Sequence, residues 1–526
     1  MKPNNKSRPD KVGSKSTAKK KFPVQRPKDK GQVTGPEEPR KRNHPPGAVE
    51  ILKEKEDARK LFEVWGFPSN DYERANLFVI KFGDHLRFTG DNWFAWDDGQ
   101  GRWTEGGEMA FAWKMLPIFE YLALEIRDAE VRSRALKTAK SFGNNTVLEN
   151  MLKQASRFKE VSCSRTLFDS DPWSLGVQNG VVDLKTGQLR KGTQKDFITK
   201  TMGCSFDVAA DCPLWQQFLI RVFKGDDELI DLVWRAVGYS LTGLTTEQVL
   251  FFLYGMGQNG KSTFVGALLD LFGDYGQKTK SELFTKTRYS DEPETLIARL
   301  VGARLVVGAE IQAGVSLNAA MVKDLTGGDM LTGRRLYESH VNFAPTHKLF
   351  GYGNHRPTIH DTDHGIWRRV RLFPFEVQIP EAERDPHLVE KLKGELPGIL
   401  NWAILGCRAW QEQGLGTAKA STVAKEDYHT SEDEIGTFIG ECCVVGVGRK
   451  ITCAKLYGTY RFWAEHAQHM PPFQILSAKL FASRLSRPGI TNPKHGTGSK
   501  IDGRWAWQGI GLNKEAEGYA SEFGID

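Results

Sequence analysis

Long apolar runs are missing from this 526-residue chain. No hydrophobic stretch reaches the ~18 residues that a membrane-crossing helix needs, and the lysine-rich start lacks the apolar segment of a secretory signal. Cysteine is scarce and scattered. Its seven residues, at 163, 204, 212, 407, 442, 443 and 453, show no Cys-x-x-Cys spacing and include an adjacent pair that cannot easily close an ordinary bridge. These absences argue against a disulfide scaffold and a structural zinc, and predict a soluble protein of a reducing compartment with no membrane partner. Large apolar residues are nearly absent from residues 1–45, which hold fourteen Lys/Arg against four Asp/Glu. That stretch alone carries +10, so the net charge of +7 conceals a remainder of −3. It cannot bury enough surface to offset its ordering entropy, and residues 1–47 are expected to form a disordered basic tail. A flexible polycation of this kind binds nucleic acid by releasing counterions, or simply keeps a protein in solution.

The rest has the makings of globular structure: 40% of the chain is hydrophobic and 11% aromatic. Residues 48–65 have helical spacing. From about 66 to 200, short strand-like pieces such as Trp93–Trp96 and Arg102–Trp103 alternate with helical stretches near 107–128 and 144–158. An α+β domain over 48–204 is expected. Within it the Asn179-Gly180 and Thr186-Gly187 pairs punctuate a short strand. Asp169 and Asp171 form an Asp-x-Asp, but Pro172 and Trp173 follow at once and no partnering ligand cluster is evident, so a structural role is favoured over metal binding.

The most informative stretch is Val249–Thr263, an apolar strand that runs into Gly255-Met256-Gly257-Gln258-Asn259-Gly260-Lys261-Ser262-Thr263. Phosphates are bulky anions, so a loop that binds them turns backbone N–H groups inward without Cβ atoms in the way. Gly255, Gly257 and Gly260 permit that. Lys261 is placed to reach β and γ phosphates, the Ser262 hydroxyl to hold Mg²⁺, and the helix expected at 264–272 to aim its N-terminus at the charge. With Asn259 and Thr263 these residues make an ATP site.

A second apolar run, Ala303–Ala309, ends in Glu310, the candidate for magnesium binding and water activation. A third, His347–Gly353, ends in Asn354, whose amide can hydrogen-bond both a γ-phosphate and the attacking water. Beyond it, Arg368 and Arg369 offer guanidinium groups to developing phosphoryl charge.

Between Glu310 and Asn354 lies Lys323-Asp324-Leu325-Thr326-Gly327-Gly328-Asp329, followed by Arg334-Arg335 and His340. Strand-loop-Gly-Lys-Ser, the strand-end acid, Lys-x-Leu-Thr-Gly-Gly-Asp, Gly-Asn-His-x-Pro and Ile-Trp-Arg-Arg occur in the order and spacing of the phage and plasmid primase-helicase family. The chain resembles that family, a branch of the superfamily 3 helicases of AAA+ type. The resemblance implies an α/β fold with a P-loop ATPase core over 205–415, an N-terminal α+β accessory domain, and a C-terminal winged-helix domain over 430–515. It implies an ATP-dependent DNA helicase that runs on single-stranded or forked DNA as a homo-hexamer, in the cytoplasm of a bacterial host. One of Arg368 and Arg369 then serves the ATP of a neighbouring subunit. Lys323, Arg334, Arg335 and His340 map onto a hairpin that touches the DNA backbone. Lys479, Arg484, Arg487, Lys494 and Lys500 map onto the helix and wing of the last domain.

Two departures stand out. Ile311 and Gln312 follow Glu310 where the family often carries a second acid, and only about 200 residues precede the motor, which makes primer synthesis in this chain doubtful. The alternatives are a bifunctional primase-helicase and an ATP-gated origin-binding or loading protein without processive unwinding; a separate primase or replication-initiation protein is a candidate partner.

Overall fold

The computed structural model describes residues 67–525, apart from 287–292, 313–314, 335–339, 360–363, 471, 473–474, 486–487 and 493–499. The basic tail and the helix expected at 48–65 lie outside the described residues.

The N-terminal part is an antiparallel meander, β1 (Leu86–Phe88), β2 (Trp93–Asp97) and β3 (Arg102–Glu105), packed with five helices. These are α1 (Asp71–Phe82), α2 (Glu108–Trp113), α3 (Met115–Leu124), α4 (Ala129–Ser141) and α5 (Asn145–Ala155). Three start on side-chain caps that satisfy otherwise orphaned N–H groups: Asn70 for α1, Asp128 for α4 and Asn144 for α5. A second meander, β4 (Ser174–Val177), β5 (Gly180–Asp183) and β6 (Gln188–Arg190), contains the strand punctuated by the two glycine turns. Its Leu175, Val177 and Val182 share one core with Phe251 and Phe350, so it packs against the central sheet.

That sheet has five parallel strands in the order β13-β7-β12-β9-β8: β7 (Leu250–Tyr254), β8 (Gly276–Thr279), β9 (Leu305–Gly308), β12 (Lys348–Gly353) and β13 (Val370–Pro374). Parallel strands are covered on both faces, which is why β7 reads as one apolar run. Its side chains nonetheless alternate: Phe251 and Leu253 enter one core, Leu250 and Phe252 the other. The Phe251 ring lies 4.8 Å from Phe350 and 5.3 Å from Phe373, joining three strands. Helices α6 (Pro213–Val222), α7 (Asp227–Ser240) and α8 (Lys261–Phe272) contribute to the first core, together with α10 (Leu396–Gln413), while α9 (Ala319–Thr326) contributes to the second. Helices α6 and α7 are separated where Lys224 and Gly225 take left-handed backbone angles. Between β9 and β12, β10 (Leu331–Arg334) and β11 (His340–Phe343) pair antiparallel as a separate hairpin.

Helix α11 (Lys419–Glu432) packs on the edge strand β13 and leads into the C-terminal part. There α12 (Glu434–Cys442), α13 (Cys453–Phe462), α14 (Ala478–Leu485) and α15 (Lys514–Glu522) share a core with β14 (Cys443–Thr452) and β16 (Arg504–Leu512). The short β15 (Lys500–Ile501) pairs with β16 to complete a three-stranded antiparallel sheet. Among the described residues no helix is long and apolar enough to cross a membrane.

Candidate active site

The loop between β7 and α8 takes its shape from backbone constraints. Gly255 has φ +148°, and a Cβ there would stand 2.0 Å from the Phe375 carbonyl oxygen; Gly260 has φ +87°, and its Cβ would meet Val222 at 2.7 Å. Neither position accepts a side chain. Gly257 differs: a Cβ there meets nothing within 4 Å, so no contact within the chain requires glycine at this position. The left-handed residue beside it is Gln258, with φ +66°. It is held by its carbonyl, which accepts from Ile379 N at 3.0 Å, and by its side-chain oxygen, which accepts from Arg384 at 2.5 Å. Asn259 pins the loop from inside, donating to Met256 O at 2.8 Å and Phe375 O at 2.7 Å.

Lys261 opens α8 and is 4% exposed. Its ammonium donates to Gly255 O at 2.5 Å, Asn259 Oδ1 at 3.1 Å and Asn354 Oδ1 at 3.3 Å. Burial holds its pKa below the ordinary lysine value, while the negative charge of Glu310 opposes that shift. The first hydrogen bond of this turn runs from Phe264 N to Gly260 O at 2.9 Å. The N–H groups of Lys261, Ser262 and Thr263 therefore face outward without intrahelical partners, as the first turn of a helix requires. Ser262 is exposed beside them. A glycine cradle, a buried lysine and free helix-start N–H groups suit the phosphates of a nucleoside triphosphate.

Asn354 meets Lys261 because β7 and β12 are neighbours, and β9 beside β12 brings Glu310 close enough for its charge to act on Lys261. Just past β9, Ile311 N donates to Tyr352 O at 2.9 Å and Ile311 bridges to Gly353. Both polar side chains are thereby carried to the C-terminal edge of the sheet, where both are exposed.

The tandem arginines are not there. Arg368 and Arg369 precede β13, and the Arg369 carbonyl accepts from Leu250 N at 2.9 Å, at the start of β7. They lie at the opposite edge of the sheet, the length of β7 from the loop, roughly 15–20 Å. Both hold Gln248 Oε1, Arg369 at 2.7 Å and Arg368 at 3.3 Å. Arg369 is 8% exposed whereas Arg368 is open to solvent. Burial and the neighbouring Arg368 charge hold the Arg369 guanidinium below the ordinary arginine value.

Of the residues mapped to a DNA hairpin, Arg334 and His340 pair across β10 and β11, with His340 Nε2 3.7 Å from Glu294. Lys323 lies on α9, and Arg335 falls outside the described residues. In the C-terminal part Lys479 and Lys500 are exposed, and Arg487 and Lys494 are outside the described residues. Asp169 and Asp171 serve the backbone instead. Asp169 accepts from Thr199 N at 2.8 Å, and Asp171 accepts from Trp173 N at 3.1 Å and Ser174 Oγ at 2.6 Å.

Two features went unselected in the sequence. Arg356, two residues after Asn354, stacks between Tyr254 (5.4 Å) and Tyr428 (4.8 Å) and donates to Ala424 O at 3.2 Å, tying the Asn354 loop to α11. At the opposite edge of the sheet, buried Arg304 and Lys348 donate to the Leu241 and Thr242 carbonyls after α7, where cations complement the helix end. Burial, with the Arg304 charge, holds Lys348 well below the ordinary lysine pKa, and burial lowers the adjacent His347 to about 3.

A family described as "D5 N terminal like" matches residues 75–224, and one described as a family of unknown function, DUF5906, matches 253–369. A protein of Acanthamoeba polyphaga mimivirus, named as a candidate helicase, is 27% identical over 352 residues, covering 62% of this chain and 36% of that protein. Another candidate helicase, from Invertebrate iridescent virus 3, is 25% identical over 264 residues, covering 48% and 28%. A candidate primase of African swine fever virus is 26% identical over 244 residues, covering 45% and 25%. The chain thus spans about a quarter to a third of the length of these relatives. Among solved structures, the C-terminal region of NrS-1 is similar at a TM-score of 0.45 and 12% identity, covering 81% of this chain and 88% of that one.

Proposed function

We propose, on the premise that this chain belongs to the phage-type primase-helicase family, that it hydrolyses ATP to drive a ring along single-stranded DNA at a replication fork. The observation that carries this reading is the division of candidate catalytic groups between the two edges of one sheet. Lys261, Glu310 and Asn354 converge at the loop, while Arg368 projects from the far edge. An arginine so placed cannot reach its own loop but suits the loop of an adjacent copy, as a closed homo-hexamer would present it.

In this reading the glycine loop and the start of α8 hold the phosphates, and Lys261 leaves its three internal acceptors to neutralise them. Asn354 orients the attacking water, and Glu310 takes its proton. Ser262 and Glu310 are the groups that would hold Mg²⁺, which supplies charge neutralisation when bound. Arg334 and His340 on the hairpin, with Lys323 and Arg335, make sequence-independent phosphate contacts that can be released at each step. The motor occupies 205–415, preceded by an accessory domain over 48–204. Residues 430–515 form a winged helix for duplex DNA, with α14 as its recognition helix and the β15–β16 turn as its wing. The setting is replication of a phage, prophage or plasmid genome in a bacterial cytoplasm; the viral relatives favour a viral genome.

ATP-dependent separation of a forked duplex by the full chain, beside Lys261→Ala, tests the proposal. Separation that depends on Lys261 is expected. DNA-stimulated hydrolysis with no strand separation would replace it with an ATP-gated loading protein.

A further inference from the structure

Just beyond Asn354 the chain is gripped by α11. The Arg356 guanidinium lies between two rings, 5.4 Å from the centroid of Tyr254 and 4.8 Å from that of Tyr428, and donates to Ala424 O at 3.2 Å. The Tyr428 hydroxyl donates to the carbonyl of the following residue, Pro357. Tyr254 is the last residue of β7, immediately before Gly255, while Ala424 and Tyr428 lie one turn apart on α11. One arginine therefore joins the strand that leads into the glycine loop, the segment that carries Asn354, and α11.

Tyr428 also reaches toward the opposite edge of the sheet. Its ring meets Trp367 edge to face, with centroids 5.1 Å apart, and the adjacent His429 ring lies 4.6 Å from Trp367. Trp367 directly precedes Arg368. Tyr428 is 1% exposed and belongs with Trp367, Ile366 and Val370 to the second core. A close-packed core passes a displacement on, because no empty space is there to absorb it. One side chain thus touches both the segment after Asn354 and the residue before Arg368.

We infer that Tyr428 is a positioning residue that couples these two groups. Lys261 holds Asn354 Oδ1 at 3.3 Å, and a phosphate that draws Lys261 away releases the amide. Asn354 then shifts against Arg356 and Pro357, which are both bound to α11, and Tyr428 passes the shift to Trp367. Occupancy of a copy's own loop in this way sets the Arg368 that the copy offers to its neighbour. The inference rests on the ring reading above and adds its regulation: hydrolysis at one site is conditioned by the nucleotide in the next.

The test is ATP hydrolysis by the full chain on single-stranded DNA, measured across ATP concentration for wild type, Tyr428→Phe, Arg356→Lys and Arg368→Ala. Tyr428→Phe removes only the hydroxyl, and Arg356→Lys keeps the charge but loses the planar group that stacks between the rings. Melting temperatures verify folding, and either variant alone suffices if the other is unfolded. Wild type is expected to give a sigmoidal curve with a Hill coefficient of about 2 or more, and each coupling variant a coefficient of about 1 with half-saturating ATP within about 3-fold. A merely structural role would lower the melting temperature or kcat and leave the shape of the curve alone. Variants that keep the wild-type coefficient, or a hyperbolic wild-type curve, overturn the coupling while leaving the phosphate loop intact. Turnover that Arg368→Ala leaves unchanged overturns the shared-site reading itself, and absence of both hydrolysis and labelled-ATP binding in wild type overturns the loop reading; the coupling falls with either.

Discussion

Lys261 and Asn354 are 93 residues apart in sequence, yet the lysine ammonium donates to the asparagine side-chain oxygen at 3.3 Å. The contact exists because β7 and β12 are adjacent parallel strands that both end at one edge of the sheet. A ligand drawing Lys261 away leaves the Asn354 amide to find a new partner, and the proposed reaction offers the attacking water. Asn354→Ala is therefore expected to lower kcat by about 10²-fold with little change in KM, the signature of a group acting mainly in the transition state. Rapid-quench single-turnover hydrolysis checks this. A KM effect alone would make Asn354 a binding residue only.

The two arginines separate by burial. Arg369 is 8% exposed and holds Gln248 at 2.7 Å, so Arg369→Ala should cost about 1–3 kcal/mol of stability, measured by urea unfolding. Arg368→Ala should leave the unfolding midpoint in place and remove most ATP turnover. Mixing Arg368→Ala subunits with Lys261→Ala subunits should restore turnover above either alone, since a mixed ring contains complete sites between copies. A mixture no more active than its components would count against catalysis across subunits.

His347 gives stability a pH dependence of known sign. Unfolded histidine titrates near 6.5, and burial lowers the folded residue to about 3. Between those values the unfolded chain binds the extra proton, so stability falls on acidification by about 1.4 kcal/mol per pH unit and is unaffected by this group above 6.5. Urea midpoints at pH 7.5 and pH 5 should therefore converge in His347→Leu relative to the parent. Equal pH shifts in both proteins would assign the effect elsewhere.

Phe251 joins β7 to both neighbouring strands through Phe350 and Phe373. Phe251→Ala removes a fully buried ring and should destabilise the fold by about 3–5 kcal/mol. Calorimetric melting is the direct measurement. Loss of nucleotide binding should track unfolding, since the strand carries the loop.

Arg334 is exposed in the last β10–β11 pair, opposite His340 at the connecting end of the hairpin and far in sequence from the loop. Arg334→Ala should weaken single-stranded DNA binding for all sequences alike and reduce the salt slope of log K by about 1, with ATP affinity intact. Fluorescence anisotropy at several salt concentrations reads both quantities. An unchanged slope would remove this arginine from the DNA path.

Much of the site was legible because its signals are local. A strand that must be buried on both faces is written as a continuous apolar run, as at Leu250–Leu253, and a loop that needs φ > 0 against a close neighbour is written in glycine, as at Gly255 beside the Phe375 carbonyl and Gly260 beside Val222. The strand-end positions of Glu310 and Asn354 followed from the same reasoning. Strand order is different, because it is set by packing between residues a hundred positions apart, and no window of sequence contains it. Only the tertiary structure decided that β7 lies between β12 and β13. That placement gathers Lys261, Glu310 and Asn354 at one edge and leaves Arg368 and Arg369 at the other. The sequence by itself determined which candidate catalytic side chains the chain carries; the order of strands in the sheet decided which of them one copy of the chain brings together.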